Sequence, residues 1–288
     1  MSKIKLILDS GSDISVEEIE KLDVDLLSLL VTFGDTTYTD YVDIDGEKFK
    51  ELINTTSDMP KTAMLSTEVI KDKFKKHLAE GNEILMVPLS SKGSGTFNSA
   101  RIAKAELEEE TGKELPISLI DSESFSLGIL HPIYDAIDMI KEGKTREEIV
   151  AMLEESYKKQ KLIFMMSDLS YLKRGGRIRA TSAVIGSILG IIPILHINNG
   201  LVEAIGKERG KKRAMEALLK IMEKDCPSKK IKRVGILQRN NDDTSEAFKK
   251  LILERFEIED FRPDAHPQAT ISTHAGSDFL AITYVAED

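Results

Sequence analysis

The chain has 288 residues and a formal net charge of −9, and 41% of its residues are hydrophobic against 31% charged. This composition excludes a disordered or fibrous protein. The length favours two domains. No run of the sequence approaches the roughly 20 consecutive apolar residues of a membrane helix. The single cysteine, Cys226, excludes an intrachain disulfide and a multi-cysteine metal cluster. Because Met1–Asp9 lacks a signal-peptide pattern, we expect a cytoplasmic location, with at most transient membrane contact.

The two halves of the chain differ in charge. Residues 1–158 carry 18 Lys and Arg against 32 Asp and Glu, or −14, whereas residues 159–288 carry 22 against 17, or +5. A basic half can indicate nucleic-acid binding, but no helix-turn-helix, RNA-binding aromatic motif or zinc-finger spacing accompanies it. We therefore expect no nucleic-acid partner, and a dipolar surface that orients a protein partner or an anionic ligand.

In the first half, short apolar runs that end in small polar residues alternate with helix-like stretches. The runs predict parallel strands at Lys3–Leu8, Glu83–Pro88 and Ile117–Ile120. A hairpin is predicted within Leu26–Thr39, around Gly34-Asp35. This alternation predicts a doubly wound parallel sheet with an inserted hairpin.

After about residue 158 the α/β pattern restarts. We therefore predict an N-terminal α/β domain of residues 1–158 and a C-terminal α/β domain of residues 159–288. Its predicted strands are Leu162–Met166, Val234–Gln238, Ala269–Thr273 and Phe279–Val285, its predicted helices are Lys211–Glu223 and Ser245–Phe256, and Ala183–Ile197 is apolar enough to be buried.

Three hydroxyl-rich loops follow predicted strands of the first half, at Asp9–Asp13, Ser90–Thr96 and Asp121–Ser124. In open α/β sheets ligands bind at this edge, where helix N-termini favour anions. Capping of the following helices is an alternative role for the first and third loops. In the second, Gly93 and Gly95 bracket Ser94, so the backbone can approach a ligand while the hydroxyl donates to it. The sequence thus favours an anion site at Ser94.

Known catalytic signatures do not match the Ser90–Thr96 loop. Lys92 precedes the glycines instead of following them as in a P-loop, and Asn98 stands where a dinucleotide-binding motif needs its third glycine. Lys92 also occupies the position where a nucleophile elbow needs glycine. Because neither a His-x-x-x-His nor a Glu-x-x-His pair occurs, we expect no metal site.

Two segments of the second half carry further candidate residues. His274 precedes the small residues Ala275–Ser277, which would let its imidazole face a ligand. Tyr171–Arg179 gathers cations around a Gly175-Gly176 turn, and arginine forks suit phosphate or carboxylate recognition. A solvated charged loop is the alternative reading of that segment. His77, among lysines, is predicted to lie at the surface.

Taken together, these motifs resemble the DegV family of bacterial fatty-acid-binding proteins. The similarity is carried, over nearly the whole chain, by Asp9-Ser10, Pro60-Lys61-Thr62, Ser90–Ala100, Ile120-Asp121-Ser122, Tyr171–Ile178 and Thr273–Gly276. Two places depart from the family pattern and alter the expected pocket wall. Ala63–Ser66 stands where the family usually has Ser-Gln-Pro-Ser, and Gly93 replaces a typical leucine.

The resemblance implies two α/β domains that clasp one long-chain fatty acid, with the carboxylate at the domain junction and the tail in an apolar tunnel. It also implies a non-catalytic subunit that presents the acid to a separate kinase subunit, which makes the acyl phosphate for phospholipid synthesis. Carried over by position, Thr62, Ser94, Gly95 and His274 would form the carboxylate site, and Arg177 would face the kinase. No cofactor is implied beyond the bound fatty acid.

Two functions of other classes remain open from the residues alone. Ser94 with His274 as base could form an acyl hydrolase, although Asp278 is a poor candidate for the third, orienting acid. The anion site could instead serve a sugar phosphate or nucleotide phosphate. Met64, Met165 and Met166 could line an adaptable tail channel or fill a core.

Overall fold

The computed structural model describes residues 3–56, 58–179, 190–238, 243–262, 265–276 and 278–286. The chain divides into two units, the first comprising Met1–Lys158 with Gln268–Thr270 and the second Lys159–Pro267 with Ile271–Asp288. The short segment Gln268–Thr270 comes from late in the sequence but belongs to the first unit. The predicted first domain, residues 1–158, does not include this segment.

The first unit is built around a parallel sheet. Its elements in chain order are β1 (Ile4–Asp9), α1 (Val16–Lys21), β2 (Asp25–Leu27), β3 (Leu30–Phe33), β4 (Thr36–Thr39), α2 (Gly46–Thr55), β5 (Lys61–Ala63), α3 (Thr67–Ala79), β6 (Glu83–Val87), α4 (Thr96–Thr111), β7 (Ile117–Leu119), α5 (Leu127–Lys141) and α6 (Arg146–Lys159). The sheet has the order β2-β1-β6-β7, and each adjacent pair is parallel. The three predicted strands of the first half are thereby confirmed as β1, β6 and β7.

The strand order places a topological switch point between β1 and β6. From β1 the chain passes to β2 on one side, and the later strands β6 and β7 continue on the other. The loops that leave β1 and β6 lie on either side of this switch point at the carboxyl edge of the sheet, which is where open α/β sheets bind ligands. Ile7 and Leu8 of β1 and Leu85 and Met86 of β6 are fully buried, as expected for central strands covered on both faces.

A small antiparallel sheet is inserted after β2. Strands β3 and β4 form the predicted hairpin around Gly34-Asp35, and β5 pairs with the other edge of β3. Gly34 has a φ of 55°, and a side chain there would meet Asp58 Oδ2 at 2.6 Å, so this turn requires glycine. Val31 and Phe33 pack against Phe49 of α2 to form the core of this part of the unit.

The second unit is built around a larger mixed sheet. Its elements are β8 (Lys161–Met166), α7 (Ser170–Gly175), β9 (Ile191–Asn198), β10 (Leu201–Arg209), α8 (Lys211–Asp225), β11 (Lys230–Gln238), α9 (Asp243–Arg255), β12 (Glu257–Phe261), α10 (Ala269–Ala275) and β13 (Phe279–Ala286). The first two residues of α10 belong to the first unit. The strand order is β10-β9-β8-β13-β11-β12, with β11 and β12 parallel and the other pairs antiparallel. Its core joins Ile163 and Ile282 of the sheet to Leu218, Leu219 and Met222 of α8.

Most predicted elements of the second half are confirmed, namely β8, α8, β11, α9 and β13. The predicted strand Ala269–Thr273 is wrong, because this segment lies in helix α10. The two carboxylate oxygens of Asp40 accept the N–H groups of Ala269 and Thr270, so a helix can begin where β-branched residues alone indicate a strand. Of the apolar run Ala183–Ile197, residues 183–189 lie outside the described residues, and the rest contributes to β9.

Candidate functional site

The Ser90–Thr96 loop connects β6 to α4 at the carboxyl edge of the parallel sheet. The carbonyl of Ser90 closes its turn by accepting hydrogen bonds from the N–H groups of Gly93 and Ser94, each at 2.9 Å. The half-buried Ser94 has its Oγ 3.1 Å from Thr96 Oγ1, at the start of the 16-residue helix α4. The partial positive charge of a helix N-terminus favours an anion beside Ser94.

Two side chains explain why the loop has glycine on both sides of Ser94. A Cβ on Gly93 would overlap the ring of Phe125, and a Cβ on Gly95 would overlap the sulfur of Met64. Phe125 is half-buried, whereas Met64 is 57% exposed. An aromatic ring and a thioether therefore lie against the backbone immediately before and after Ser94, and a leucine at position 93 is incompatible with this position of Phe125.

The segment that contains Thr62 lies next to this loop. Thr62 is the half-buried middle residue of β5 and pairs with Val31 of β3. After β5 the chain contacts the loop twice, since Met64 covers Gly95 and the Leu65 N–H donates to Thr96 Oγ1 at 3.4 Å. The first unit thus brings the segment of Thr62 together with the loop of Ser94.

The buried carboxylate of Asp9 joins the loops that follow β1 and β6. Its Oδ1 accepts the N–H of Gly11 at 3.1 Å, and its Oδ2 accepts the N–H of Leu89 at 3.0 Å. Burial raises the pKa of Asp9 to about 7, although the two backbone hydrogen bonds act in the opposite direction. Asp9 therefore connects the two loops at the carboxyl edge of the sheet, and its carboxyl group changes charge near neutral pH.

Two further buried carboxylates, whose role the sequence did not indicate, hold the segment Gln268–Thr270 in the first unit. Asp13 Oδ1 accepts the N–H of the first residue of the segment at 2.8 Å, and the oxygens of Asp40 accept those of the next two at 3.3 and 3.1 Å. Burial raises the pKa of Asp40. Since the bonds to Asp40 span 229 and 230 residues, no local pattern could reveal them.

In the second unit, His274 lies in the last turn of α10 with its ring against the end of α7. A Cβ on Gly175 would lie 2.5 Å from His274 Nδ1, so the contact requires glycine at that position. Burial lowers the pKa of His274 to about 4, and the positive charge of Arg177 acts in the same direction. The imidazole is therefore neutral at neutral pH, with one ring nitrogen as a donor and the other as an acceptor.

Arg177 follows the glycine pair that ends α7. Gly176 has a φ of 70° and caps the helix, and the Arg177 N–H donates to the carbonyl of Leu172 at 3.2 Å. The half-buried guanidinium donates to the carbonyl of Gly175, and burial lowers the pKa of Arg177. The cationic motif is thus the end of a helix beside His274, with Lys173 and Arg174 exposed and Arg177 half-buried.

A second contact between a ring and a glycine holds the same two segments together. A Cβ on Gly276, whose φ is 72°, would lie 2.8 Å from Cδ2 of the Tyr171 ring. Helix α7 therefore contributes Tyr171 and Gly175, and the end of α10 contributes His274 and Gly276. The His274 ring packs against Gly175, and the Tyr171 ring packs against Gly276. These two contacts fix His274 relative to the residues around Arg177.

Met165 and Met166, two of the candidate tail-lining methionines, are buried in β8. They border a cavity of about 20 Å³ together with residues that include Ile192 and Phe279. This volume corresponds to about one water molecule, so this cavity does not accommodate an acyl chain. Within the described residues, no group of three or more His, Cys, Asp or Glu side chains could hold a metal ion.

The comparison with protein families gives a single assignment over nearly the entire length. The family model described as "Uncharacterised protein, DegV family" matches residues 3–287. The chain belongs to the DegV family. A DegV domain-containing protein of Clostridium perfringens is 32% identical over 287 residues, which cover 100% of both chains. The resemblance inferred from the motifs is therefore confirmed.

Solved structures of the family share this fold. A DegV lipid binding protein from Thermotoga maritima aligns with a TM-score of 0.87 at 30% identity and covers 98% of each chain. A DegV family protein from Thermus thermophilus, described by its fatty acid binding, aligns with a TM-score of 0.88 at 28% identity over 98% of this chain and 99% of its own. The predicted α/β architecture with a parallel first sheet is confirmed. None of the described helices combines the length and the apolar character needed to cross a bilayer.

Proposed function

We propose that the chain binds a long-chain fatty acid, with its carboxylate at the domain junction and its tail in an apolar tunnel. Thr62, Ser94 and His274 hold the carboxylate in this proposal, and Gly95 belongs to the same site, where its missing side chain leaves room for Met64. The observation that carries the proposal is Ser94, which lies between two glycines at the N-terminus of α4, at the carboxyl edge of the parallel sheet. The similarity to the Thermotoga and Thermus proteins, which are described as lipid- and fatty-acid-binding, supports the same ligand class.

The physical chemistry of a fatty acid fits this donor set. Burial of ~16 methylenes at about 0.8 kcal/mol each gives on the order of 12 kcal/mol before the costs of association. A carboxylate in a closed site needs hydrogen-bond donors, because an unpaired buried charge is strongly unfavourable. The hydroxyls of Thr62 and Ser94 and an N–H of the neutral His274 supply them.

We further infer that the chain is the non-catalytic binding subunit of a fatty acid kinase system and presents the acid to a separate kinase subunit. The electrostatic proximity of Arg177 to His274 supports this role, since a guanidinium fork recognises phosphate and carboxylate oxygens. A hydrolase would need an acid that orients His274. Asp278, the nearest acid in sequence, instead accepts hydrogen bonds from Ser167 at 2.5 Å and Lys211 at 2.9 Å.

Native mass spectrometry of the purified protein tests the ligand class directly. We expect a mass of fatty-acid size to leave on denaturation, and direct titration to show saturable binding. Thr62→Ala and Ser94→Ala should each weaken binding by about 1 to 3 kcal/mol through loss of a charge-assisted hydrogen bond. Ser91→Ala, at an exposed position of the same loop, is the matched control and should bind like the wild type. Unchanged affinity in both site variants refutes the carboxylate site, and absence of binding by the wild type refutes the function.

A further inference from the structure

Met64 is the most exposed methionine among the residues that the structure describes. Its sulfur contacts the backbone of Gly95 while the residue remains 57% exposed. The other eight methionines that the structure describes are buried or half-buried. Because oxidation of methionine depends on access to the sulfur, Met64 should react with a soluble peroxide before the other methionines do.

The position of this sulfur gives its oxidation a local consequence. Met64 lies two residues after Thr62, and Gly95 directly follows Ser94, so the thioether lies among the segments whose hydroxyls the proposed function assigns to the carboxylate. A sulfoxide is polar and presents a strong acceptor oxygen where the thioether is apolar. That oxygen would compete with a carboxylate for the same hydroxyl donors, and it must also find room against the backbone of Gly95.

We propose that Met64 is an oxidation-sensitive site at which conversion to the sulfoxide by a peroxide lowers the affinity for the fatty acid. The proposal rests on the proposed function. A lone pair of the sulfur attacks one peroxide oxygen, the S–O bond forms as the O–O bond breaks, and the proton of the transferred oxygen passes through solvent to the departing hydroxide, which leaves as water. The sulfur loses two electrons and the peroxide gains them, so hydrogen peroxide is the only co-reactant. A methionine sulfoxide reductase reverses the change.

The test compares the wild type with Met64→Leu, Met59→Leu and Met64→Gln. Leucine keeps the apolar volume without an oxidisable sulfur, glutamine places a polar acceptor at the same position, and Met59 is a half-buried methionine shortly before β5. Each protein is treated with hydrogen peroxide, the sulfoxide is located by peptide mapping as a gain of about 16 Da, and palmitic acid binding is titrated before and after treatment. Circular dichroism confirms that the treated proteins remain folded.

We expect Met64 to be oxidised first and the affinity of the treated wild type to fall at least about tenfold, the equivalent of one lost hydrogen bond to a charged group. Met59→Leu should lose affinity in the same way, Met64→Leu should have the same affinity before and after treatment, and Met64→Gln should bind weakly without treatment. Unchanged affinity with a mapped Met64 sulfoxide overturns the proposal, as does an equal loss in Met64→Leu. If the untreated wild type binds no fatty acid, the proposed function fails. The peptide map tests the oxidation of Met64 independently of binding. A Met64 that oxidises more slowly than Met59 overturns this proposal.

Discussion

Replacement of His274 by glutamine tests whether the second unit holds a neutral imidazole. In the folded protein, burial and then the charge of Arg177 hold the pKa of His274 at about 4, against an ordinary value of 6.5. Between these two pH values the unfolded chain binds more protons than the folded chain. The contribution of His274 to the free energy of unfolding therefore rises with pH up to 6.5 and is lost as the pH falls toward 4. Glutamine does not titrate and removes this dependence.

The size of the effect follows from the interval between the two pKa values. At about 1.4 kcal/mol per pH unit, the interval from 6.5 to about 4 corresponds to at most about 3 kcal/mol. About 2 kcal/mol of this is already lost at about pH 5. Solvent screening reduces it little, since the Nδ1 atom of the ring is wholly buried.

Urea unfolding of the ligand-free wild type and His274→Gln, at about pH 7 and about pH 5, measures the difference in free energy of unfolding between the two proteins. This difference should change by about 2 kcal/mol in favour of the variant at the lower pH. Subtraction of the two proteins cancels the contribution of Asp9, whose pKa of about 7 acts with the opposite sign. In an NMR titration the His274 ring should have its midpoint near pH 4. Arg177→Met should raise that midpoint, and Arg174→Met, at an exposed position of the same motif, is the control. A change below about 0.5 kcal/mol, or a midpoint at the ordinary histidine value, would refute the reasoning.

Two further predictions concern presentation and packing. Arg177→Ala should lower kinase-dependent acyl-phosphate formation at least about tenfold and lower fatty-acid affinity much less, with partial rescue by lysine; a parallel loss of affinity in lipid titration would place Arg177 in the binding site instead. Gly93→Leu should lower the free energy of unfolding by about 1 to 3 kcal/mol, because the new side chain overlaps the ring of Phe125. Urea unfolding measures this loss, Phe125→Ala in the same background should recover part of it, and wild-type stability in Gly93→Leu would show that the ring moves aside freely.

The elements that were predictable from sequence are those whose pattern is local. β1 and β6 are short, largely apolar runs because central strands covered on both faces bury most of their side chains. β7 lies at the edge of the sheet and is recognised by a shorter run that buries Ile117. Ala269–Thr273 has the β-branched residues of a strand, but the carboxylate of Asp40 accepts the first N–H groups of a helix there. Because the donors and the acceptor are so distant in sequence, the local sequence pattern could not predict this helix.

The same distinction applies to the side chains of the candidate site. The location of Ser94 at the sheet edge follows from the rule that loops after parallel strands meet at one edge. The rule does not explain why glycine stands on both sides of Ser94, because the side chains that require it, Met64 and Phe125, come from other loops. The prediction that His77 lies at the surface is wrong, since it is buried with Nε2 2.6 Å from Asp25 Oδ2, a partner on β2.

A recombinant fragment that ends at Lys158 would lack Gln268–Thr270, although this segment belongs to the first unit. The carboxylates of Asp13 and Asp40 would then lose backbone donors, at about 1 to 3 kcal/mol for each buried acceptor left unsatisfied. The hydrophobic cluster around Phe49 would also lose Ala269. A single cut after Lys158 therefore separates the first unit from three of its own residues. A circularly permuted or fused design that returns Gln268–Thr270 to its place between these two acids should be more stable than the simple fragment.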